Sequence, residues 1–183
     1  MDIIFIGKQG SGKGTQSQLL IKDHPYSVFE TGGALRAIAQ EDSDLGKKVL
    51  EITQRGDLVP NEIVMDIVND FLDKNAANGP VIFDGIPRSE EQRVSLEALL
   101  KEAGREFIAV ELTLDNEVAV KRMLSRGRQD DTPEAITKRL ENFDAYTAPL
   151  IEVWREQGKL KTIDGNLSIE EGQAQLRKVL GLS

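Results

Sequence analysis

The chain has 183 residues, of which 39% are hydrophobic and 30% charged, and its formal net charge is −8. This composition is typical of one globular domain, and the absence of cysteine excludes disulfides and cysteine-ligated zinc. The acidic balance argues against nucleic-acid binding. No apolar run approaches the roughly 20 residues that span a bilayer, and the N-terminus lacks the basic segment of a signal peptide, so we expect a cytoplasmic protein that does not bind membranes. We expect a monomer, although no feature of the sequence indicates the oligomeric state.

Short apolar stretches alternate with longer amphipathic ones along the chain. The stretches predict strands at 2–6, 26–29, 80–83, 107–114 and 160–163. Helices are predicted at 13–23, 34–40, 45–54, 61–75, 90–103 behind a Ser89 cap, 116–125, 133–156 with a bend or break at Pro149, and 168–180. The alternation predicts an α/β fold with a mostly parallel sheet covered by helices on both faces. Ligands of such folds bind beyond the carboxyl ends of the strands.

The segment G-K-Q-G-S-G-K-G-T, residues 7–15, follows the first strand and begins the first helix. Glycines allow a tight turn that presents backbone N–H groups inward, and the helix N-terminus adds positive potential. Lys13 can reach the β- and γ-phosphates of a nucleotide. Gly14 stands where the common pattern has Ser or Thr, and Thr15 follows it, so we expect magnesium to be held mainly by phosphates and waters.

Three residues at and after the end of the third strand carry polar side chains suited to ligand chemistry. Asp84 ends a buried strand, where an unpaired carboxylate is costly, and a hydrated magnesium ion would give it a partner. Arg88 offers a planar fork suited to phosphate oxygens. Gln92 has a donor and an acceptor that can read the N6 and N1 edge of adenine. The residue type of Thr31 does not by itself indicate a ligand-binding role, because a threonine at this place could simply cap a helix.

Five motifs in order resemble the adenylate kinase family of nucleoside monophosphate kinases. They are the loop at 7–15, T-G-G-A-L-R at 31–36, G-D-L-V-P at 56–60, D-G-I-P-R-S at 84–89, and the basic stretch 121–128. The resemblance spans essentially the whole chain. It implies a P-loop NTPase-type fold with a parallel five-stranded sheet and helices on both faces, a single domain over 1–183. It also implies a small helical flap at about 31–71 that binds the monophosphate, and a short lid at about 126–133.

The resemblance implies a role for each matching residue. The catalytic residues would be Lys13, Arg88, Arg122, Arg126, Arg128 and Arg139. ATP would be bound by Gly10, Ser11, Gly12, Lys13, Gly14, Thr15, Arg122, Arg126 and Gly165. AMP would be bound by Thr31, Gly32, Arg36, Leu58, Val59, Gly85, Arg88, Gln92, Arg128 and Arg139. Magnesium would lie near Asp84, through water, and near Thr15, while Asp131 would orient one of the arginines.

The implied reaction is reversible, magnesium-dependent phosphoryl transfer from ATP to AMP, giving two ADP and serving adenine nucleotide homeostasis. The first alternative is a UMP/CMP-type kinase, which shares the short lid, although Thr31 and Gln92 favour AMP. The second is a nucleotide-binding regulator with weak catalysis, against which Lys13 and the arginine cluster argue. The third is a P-loop kinase for a non-nucleotide acceptor such as a sugar, which the motifs at 56–60 and 84–92 disfavour.

Three positions depart from the family pattern. Gln9 replaces a loop proline, Gly33 replaces the usual Asp at the start of a helix, and Ile86 replaces the usual Phe. The loss of proline is expected to loosen the unbound loop. The loss of Asp removes an acid that favours the positive end of a helix.

Overall fold

A computed structural model describes residues 1–75 and 79–182. The five predicted strands are present as β1 (Asp2–Ile6), β2 (Ser27–Glu30), β3 (Val81–Asp84), β4 (Phe107–Thr113) and β5 (Leu160–Asp164). They form one sheet in the order β2-β3-β1-β4-β5, and every neighbouring pair is parallel. The predicted α/β fold with a parallel five-stranded sheet is therefore confirmed.

The helices cover both faces of the sheet, as predicted. They are α1 (Lys13–Leu20), α2 (Thr31–Ala39), α3 (Asp44–Gln54), α4 (Asn61–Asn75), α5 (Glu90–Glu102), α6 (Asn116–Arg126), α7 (Pro133–Asn142), α8 (Ala148–Glu156) and α9 (Ile169–Leu180). Ser89 caps α5 by accepting a hydrogen bond from the backbone N–H of Gln92, at 3.3 Å. No helix in residues 1–75 and 79–182 is long and apolar enough to cross a membrane.

The helix predicted over 133–156, with a bend or break at Pro149, is interrupted just before that proline. A π-helical turn, Phe143–Thr147, separates α7 from α8. Pro149 therefore falls in the first turn of α8, where its missing N–H costs no hydrogen bond. The interruption lies just before the proline, because an uninterrupted helix would place the ring against the carbonyl four residues earlier.

Side chains of β1 enter two cores on opposite faces of the sheet. Ile4 and Ile6 pack in a core shared with α4, α5 and α8, and Ile3 and Phe5 pack in a core shared with α1 and α9. All four are at most 2% exposed. A strand buried on both faces reads as a continuous apolar run, which explains why β1 was predictable.

The order of the strands places the segment after β1 at the centre of one sheet edge. The chain passes from β1 to the edge strand β2, returns to β3 beside β1, and then adds β4 and β5 on the other side. This reversal of direction is the topological switch point at which open α/β sheets bind ligands. Glu30 and Asp84 end the two strands on the β3 side of that point.

Candidate active site

A cleft of about 730 Å³ opens beyond the carboxyl ends of β1, β2 and β3. Its basic lining residues include Lys13, Arg36, Arg88, Arg122, Arg126, Arg128 and Arg139. The chain as a whole is acidic, so this concentration of cations makes a local positive site. Such a site attracts and binds anionic ligands such as nucleotide phosphates.

The loop between β1 and α1 forms the floor of the cleft. The backbone N–H of Ser11 donates to the carbonyl of Lys8 at 3.2 Å, and Gly10 between them has φ +86°. These are the features of a type II turn, which requires a positive φ at its third residue and hence favours glycine there. Gln9 is the second residue of the turn, and its side-chain Oε1 is buried without a partner among the described residues.

Lys13 lies over this loop. Its Nζ donates hydrogen bonds to the carbonyls of Gly7 and Lys8, at 2.8 and 2.9 Å. Burial lowers the pKa of Lys13 to about 8; the nearby Arg88 acts in the same direction, while Asp84 opposes it. The lysine is therefore less basic than usual in the unliganded protein, and phosphate oxygens would restore its full positive charge.

A smaller pocket of about 390 Å³ adjoins the cleft on the far side of the loop. The two share Gly10, Gly12, Thr15 and Arg122, and the smaller pocket adds Ser11 and Gly165. Ile163, Leu167 and Ile169 also line it, and two of them, Leu167 and Ile169, are 36% and 52% exposed. Apolar walls beside a phosphate loop suit a flat heterocyclic base.

Arg122 joins the loop to the turn after β5. Its Nη1 donates to the carbonyl of Gly10 at 3.2 Å and to that of Gly165 at 2.8 Å. A Cβ atom at Gly165 would lie 2.4 Å from the carbonyl oxygen of Thr113 and 2.9 Å from that of Ser11. Only glycine allows this turn to approach the phosphate loop so closely.

Asp84 is the buried acid of the cleft, at 7% exposure. Its carboxylate accepts no hydrogen bond from any described residue, and burial raises its pKa although the charge of Lys13 opposes this. No cluster of three or more acidic, histidine or cysteine side chains in the described ranges could hold a metal alone. A carboxylate that lies beside a phosphate loop and accepts no hydrogen bond from the described residues nevertheless fits a hydrated magnesium ion whose other ligands are phosphates and waters.

Asp131 anchors two arginines. It accepts hydrogen bonds from Nε and Nη2 of Arg126, at 2.5 and 2.9 Å, and from Nη1 of Arg139, at 2.8 Å. Its side chain is 1% exposed. Burial acts to raise the pKa of Asp131, but the hydrogen bonds and charges of the two guanidinium groups together lower it. The expected orientation of an arginine by Asp131 is confirmed, and the structure adds a second arginine.

Arg88 is fixed through its backbone and its side chain. Its backbone N–H donates to Oε1 of Gln92 at 2.8 Å, and its Nε donates to the carbonyl of Gly85 at 2.8 Å. Its carbonyl accepts from Oγ1 of Thr147, in the π-helical turn, at 2.9 Å. π-Helical turns are frequent at functional sites. Here the turn positions the hydroxyl of Thr147 against the backbone carbonyl of Arg88, an arginine of the cleft.

Thr31 does not cap a helix, so the simple capping interpretation is wrong. Glu30 is the N-cap residue of α2, and Thr31 is the first helical residue. The hydroxyl of Thr31 is buried on the wall of the cleft and has no partner among the described residues. A buried polar group without a partner is costly and indicates a ligand or water in the site. Gln92, 3% exposed, lines the same cleft.

A family model described as adenylate kinase matches residues 5–159. The chain belongs to the adenylate kinase family. It is 41% identical over 181 residues to adenylate kinase 1 of Nostoc sp., covering 98% of each chain. It is also 40% identical over 181 residues to the adenylate kinase of Prochlorococcus marinus, covering 98% of this chain and 97% of the relative. With that of Caulobacter sp. it shares 39% identity over 175 residues, 93% of each chain.

Every residue to which the motifs assigned a role in binding or catalysis borders one of the two adjoining pockets, whereas Asp131, expected to orient an arginine, borders neither. Ser11 and Gly165 border only the smaller one. The other binding and catalytic residues line the cleft, including Gly32, Leu58, Val59 and Gly85. The roles of these residues in binding and catalysis remain predictions.

The motifs assigned no role to several other residues of the cleft in this adenylate kinase. Among them are Glu30, Asn142 and Phe143. Glu30 directly precedes the T-G-G motif, so its position beside that motif could have identified it as a site residue from the sequence. Asn142 donates to the carbonyl of Gly56 at 3.0 Å. That contact, between residues distant in sequence, left no local signal.

Proposed function

We propose that this adenylate kinase transfers the γ-phosphoryl group of ATP to AMP, reversibly, giving two ADP. The observation that carries the proposal is the convergence of Lys13 and the arginines on one cleft that adjoins a second, apolar-walled pocket. A nucleotide in each of the two pockets would therefore place its phosphates beside the same basic side chains. Phosphoryl transfer asks the protein mainly to position the phosphates and stabilise their charge.

The donor would occupy the phosphate loop. Its base would lie in the smaller pocket, beside Gly165, with Arg122 between the base and the phosphates. Lys13 would leave the loop carbonyls and donate to the β- and γ-phosphates. Asp84 would hold magnesium through water, with Thr15 close to the phosphates, and the ion when bound would supply charge neutralisation.

The acceptor would occupy the part of the cleft next to α2. The free hydroxyl of Thr31 and the amide of Gln92 would read the edge of adenine. Oε1 of Gln92 already accepts from the backbone of Arg88, but a carbonyl oxygen has a second lone pair. Arg36 and Arg88 would bind the acceptor phosphate, and Leu58 and Val59 would form the wall behind the base.

The arginines anchored on Asp131 would stabilise the transition state. Arg126 and Arg139 are held before any ligand arrives, so they need little reorganisation when charge develops on the transferring group. Arg128, beyond the end of α6, would complete the set. No general base is needed, because the attacking phosphate oxygen of AMP is already anionic.

We further propose that two segments close over the nucleotides: the flap at about 31–71 and the short lid at about 126–133. Closure would exclude water, which would otherwise accept the phosphoryl group. Since ATP and AMP are cytoplasmic metabolites, the reaction would take place in the cytoplasm and balance the adenine nucleotides there.

The test is an acceptor panel. The protein is mixed with ATP, magnesium and each of AMP, GMP, CMP, UMP and dTMP, and diphosphate formation is followed, with Lys13→Met as the control. We expect Lys13-dependent ADP formation with AMP. Turnover with CMP or UMP instead would keep the mechanism but replace the acceptor. ATP binding without turnover on any acceptor would favour the regulator hypothesis.

A further inference from the structure

Glu30 places a carboxylate in the cleft that we propose to bind nucleotide phosphates. It ends β2, precedes α2 and lines the cleft. Its Oε1 accepts a hydrogen bond from Nη2 of Arg36 at 3.0 Å, with the two side chains 46% and 36% exposed. This is the one side-chain hydrogen bond that Arg36 makes within the described residues.

The carboxylate also fills the space beside Gly33. A Cβ atom at Gly33 would lie 3.2 Å from Oε2 of Glu30. The family pattern has an acid at position 33, and this chain has none there. The negative charge near the start of α2 is therefore retained, but it comes from the residue before the helix and is directed at Arg36.

The charge of Glu30 reaches the other ionisable groups of the cleft. Burial raises the pKa of Asp84, and Glu30 acts in the same direction. Burial lowers the pKa of Arg128, and Glu30 acts against that change. An anion at this position is thus close enough to influence any phosphate that Arg36 or Arg128 would bind.

Resting on the proposed AMP site, we propose that Glu30 is an internal competitor of the acceptor phosphate. Its carboxylate occupies Arg36 in the free protein and must release it when a nucleoside monophosphate binds. A half-exposed ion pair is weak, so the exchange is easy, but the displaced carboxylate stays near and repels the phosphate. Glu30 thereby weakens acceptor binding more than donor binding, because it pairs directly with Arg36 and lies farther from the donor site.

The experiment is a calorimetric titration of AMP into the wild type, Glu30→Gln and Glu152→Gln in the absence of ATP. Glu152 is the matched control, since it pairs with an arginine, Arg155, on the exposed face of α8. We expect Glu30→Gln to lower the Kd of AMP about three- to tenfold, as removal of one nearby, partly screened charge predicts. The gain should shrink at high salt. The Kd of ATP should change less than that of AMP in Glu30→Gln and should stay unchanged in Glu152→Gln.

An unchanged Kd of AMP in Glu30→Gln would overturn the proposal. An increased Kd would overturn it as well, because it would mean that Glu30 holds Arg36 in place for the ligand. Melting temperatures of all three proteins would show that any change does not come from misfolding. If AMP failed to bind the wild type, the proposed acceptor would be wrong, and the same titration with GMP, CMP, UMP and dTMP would test Glu30 through the phosphate they share. Binding of none of them would reject the acceptor site and this inference with it.

Discussion

The hydroxyl of Thr147 donates a 2.9 Å hydrogen bond to the backbone carbonyl of Arg88. The contact joins two segments 59 residues apart. It depends on the π-helical turn, which places Thr147 at the cleft just before α8 begins. Thr147 therefore positions the backbone of Arg88, and if Arg88 binds the acceptor phosphate as proposed, Thr147 would act on it through Arg88.

We predict that Thr147→Val, which keeps the shape and removes the donor, lowers kcat/KM for AMP about three- to tenfold, the effect of losing one hydrogen bond of about 1 kcal/mol. The KM for ATP should not change. Thr147→Ser retains the hydroxyl and should restore the wild-type value. Equal losses in the Val and Ser variants would show that the methyl packing, and not the hydrogen bond, matters.

A second prediction concerns Asp131, which holds Arg126 and Arg139. Asp131→Asn removes the charge between two guanidinium groups and should lower kcat about 10- to 100-fold, because oriented charge stabilises the transition state. The free energy of unfolding should fall by about 1–3 kcal/mol at pH 7. Steady-state kinetics and urea unfolding measure the two effects, and an undiminished kcat would contradict the role assigned to this carboxylate.

The stability effect of Asp131 should also depend on pH. Its pKa is lower in the folded protein than the ordinary value of 3.8. The ionised carboxylate therefore stabilises the fold above about pH 4, and this contribution is lost as the pH falls through the lowered pKa. Urea unfolding of wild type and Asp131→Asn should converge as the pH drops below about 4. A difference that stayed constant down to the acid limit would argue against ionisation as its cause.

A third prediction follows from the pKa of about 8 of Lys13. Phosphates favour the protonated lysine, so ATP binding at pH 8 should take up about half a proton. Calorimetry in buffers of different ionisation enthalpy measures this uptake. The control is Lys13→Arg, whose arginine stays charged throughout this pH range. ATP binding to this variant should be accompanied by a smaller proton uptake. Equal uptake in both proteins would contradict the assignment of the proton to Lys13.

A fourth prediction concerns Gln9, the second residue of the type II turn in the phosphate loop. Proline is favoured at that position. Gln9→Pro also removes the buried Oε1 that lacks a partner among the described residues. It should stabilise the protein by about 0.4–1 kcal/mol, which corresponds to roughly 1–4 °C in Tm. An unchanged or lower Tm by calorimetry would mean that the loop does not accept proline.

The sheet and most helices were predictable because their signals are local. The strand β1 reads as an apolar run since both of its faces are buried, and Ser89 caps α5 as its residue type suggests. A bend or break at Pro149 was predicted, but the π-helical turn between α7 and α8 was not, because a proline marks an interruption without fixing where it starts. The candidate site was found through ordered motifs, each of which follows a strand or begins a helix.

The contacts that support the site were not readable from the sequence. The double anchoring by Asp131 and the bond from Thr147 to Arg88 join residues that tertiary structure alone brings together. Glu30 stood beside a motif, but its pairing with Arg36 depends on the turn from β2 into α2. Residue types predicted which groups serve phosphate chemistry; packing determines how they are held.

The central claim is that the cleft exchanges a phosphoryl group between two adenine nucleotides and excludes water. Incubation of the protein with ADP and magnesium alone, followed by phosphorus NMR, tests this most directly. We predict the appearance of ATP and AMP in equal amounts, with free phosphate no higher than in a Lys13→Met control. Unchanged ADP, or free phosphate released in place of ATP, would contradict the account.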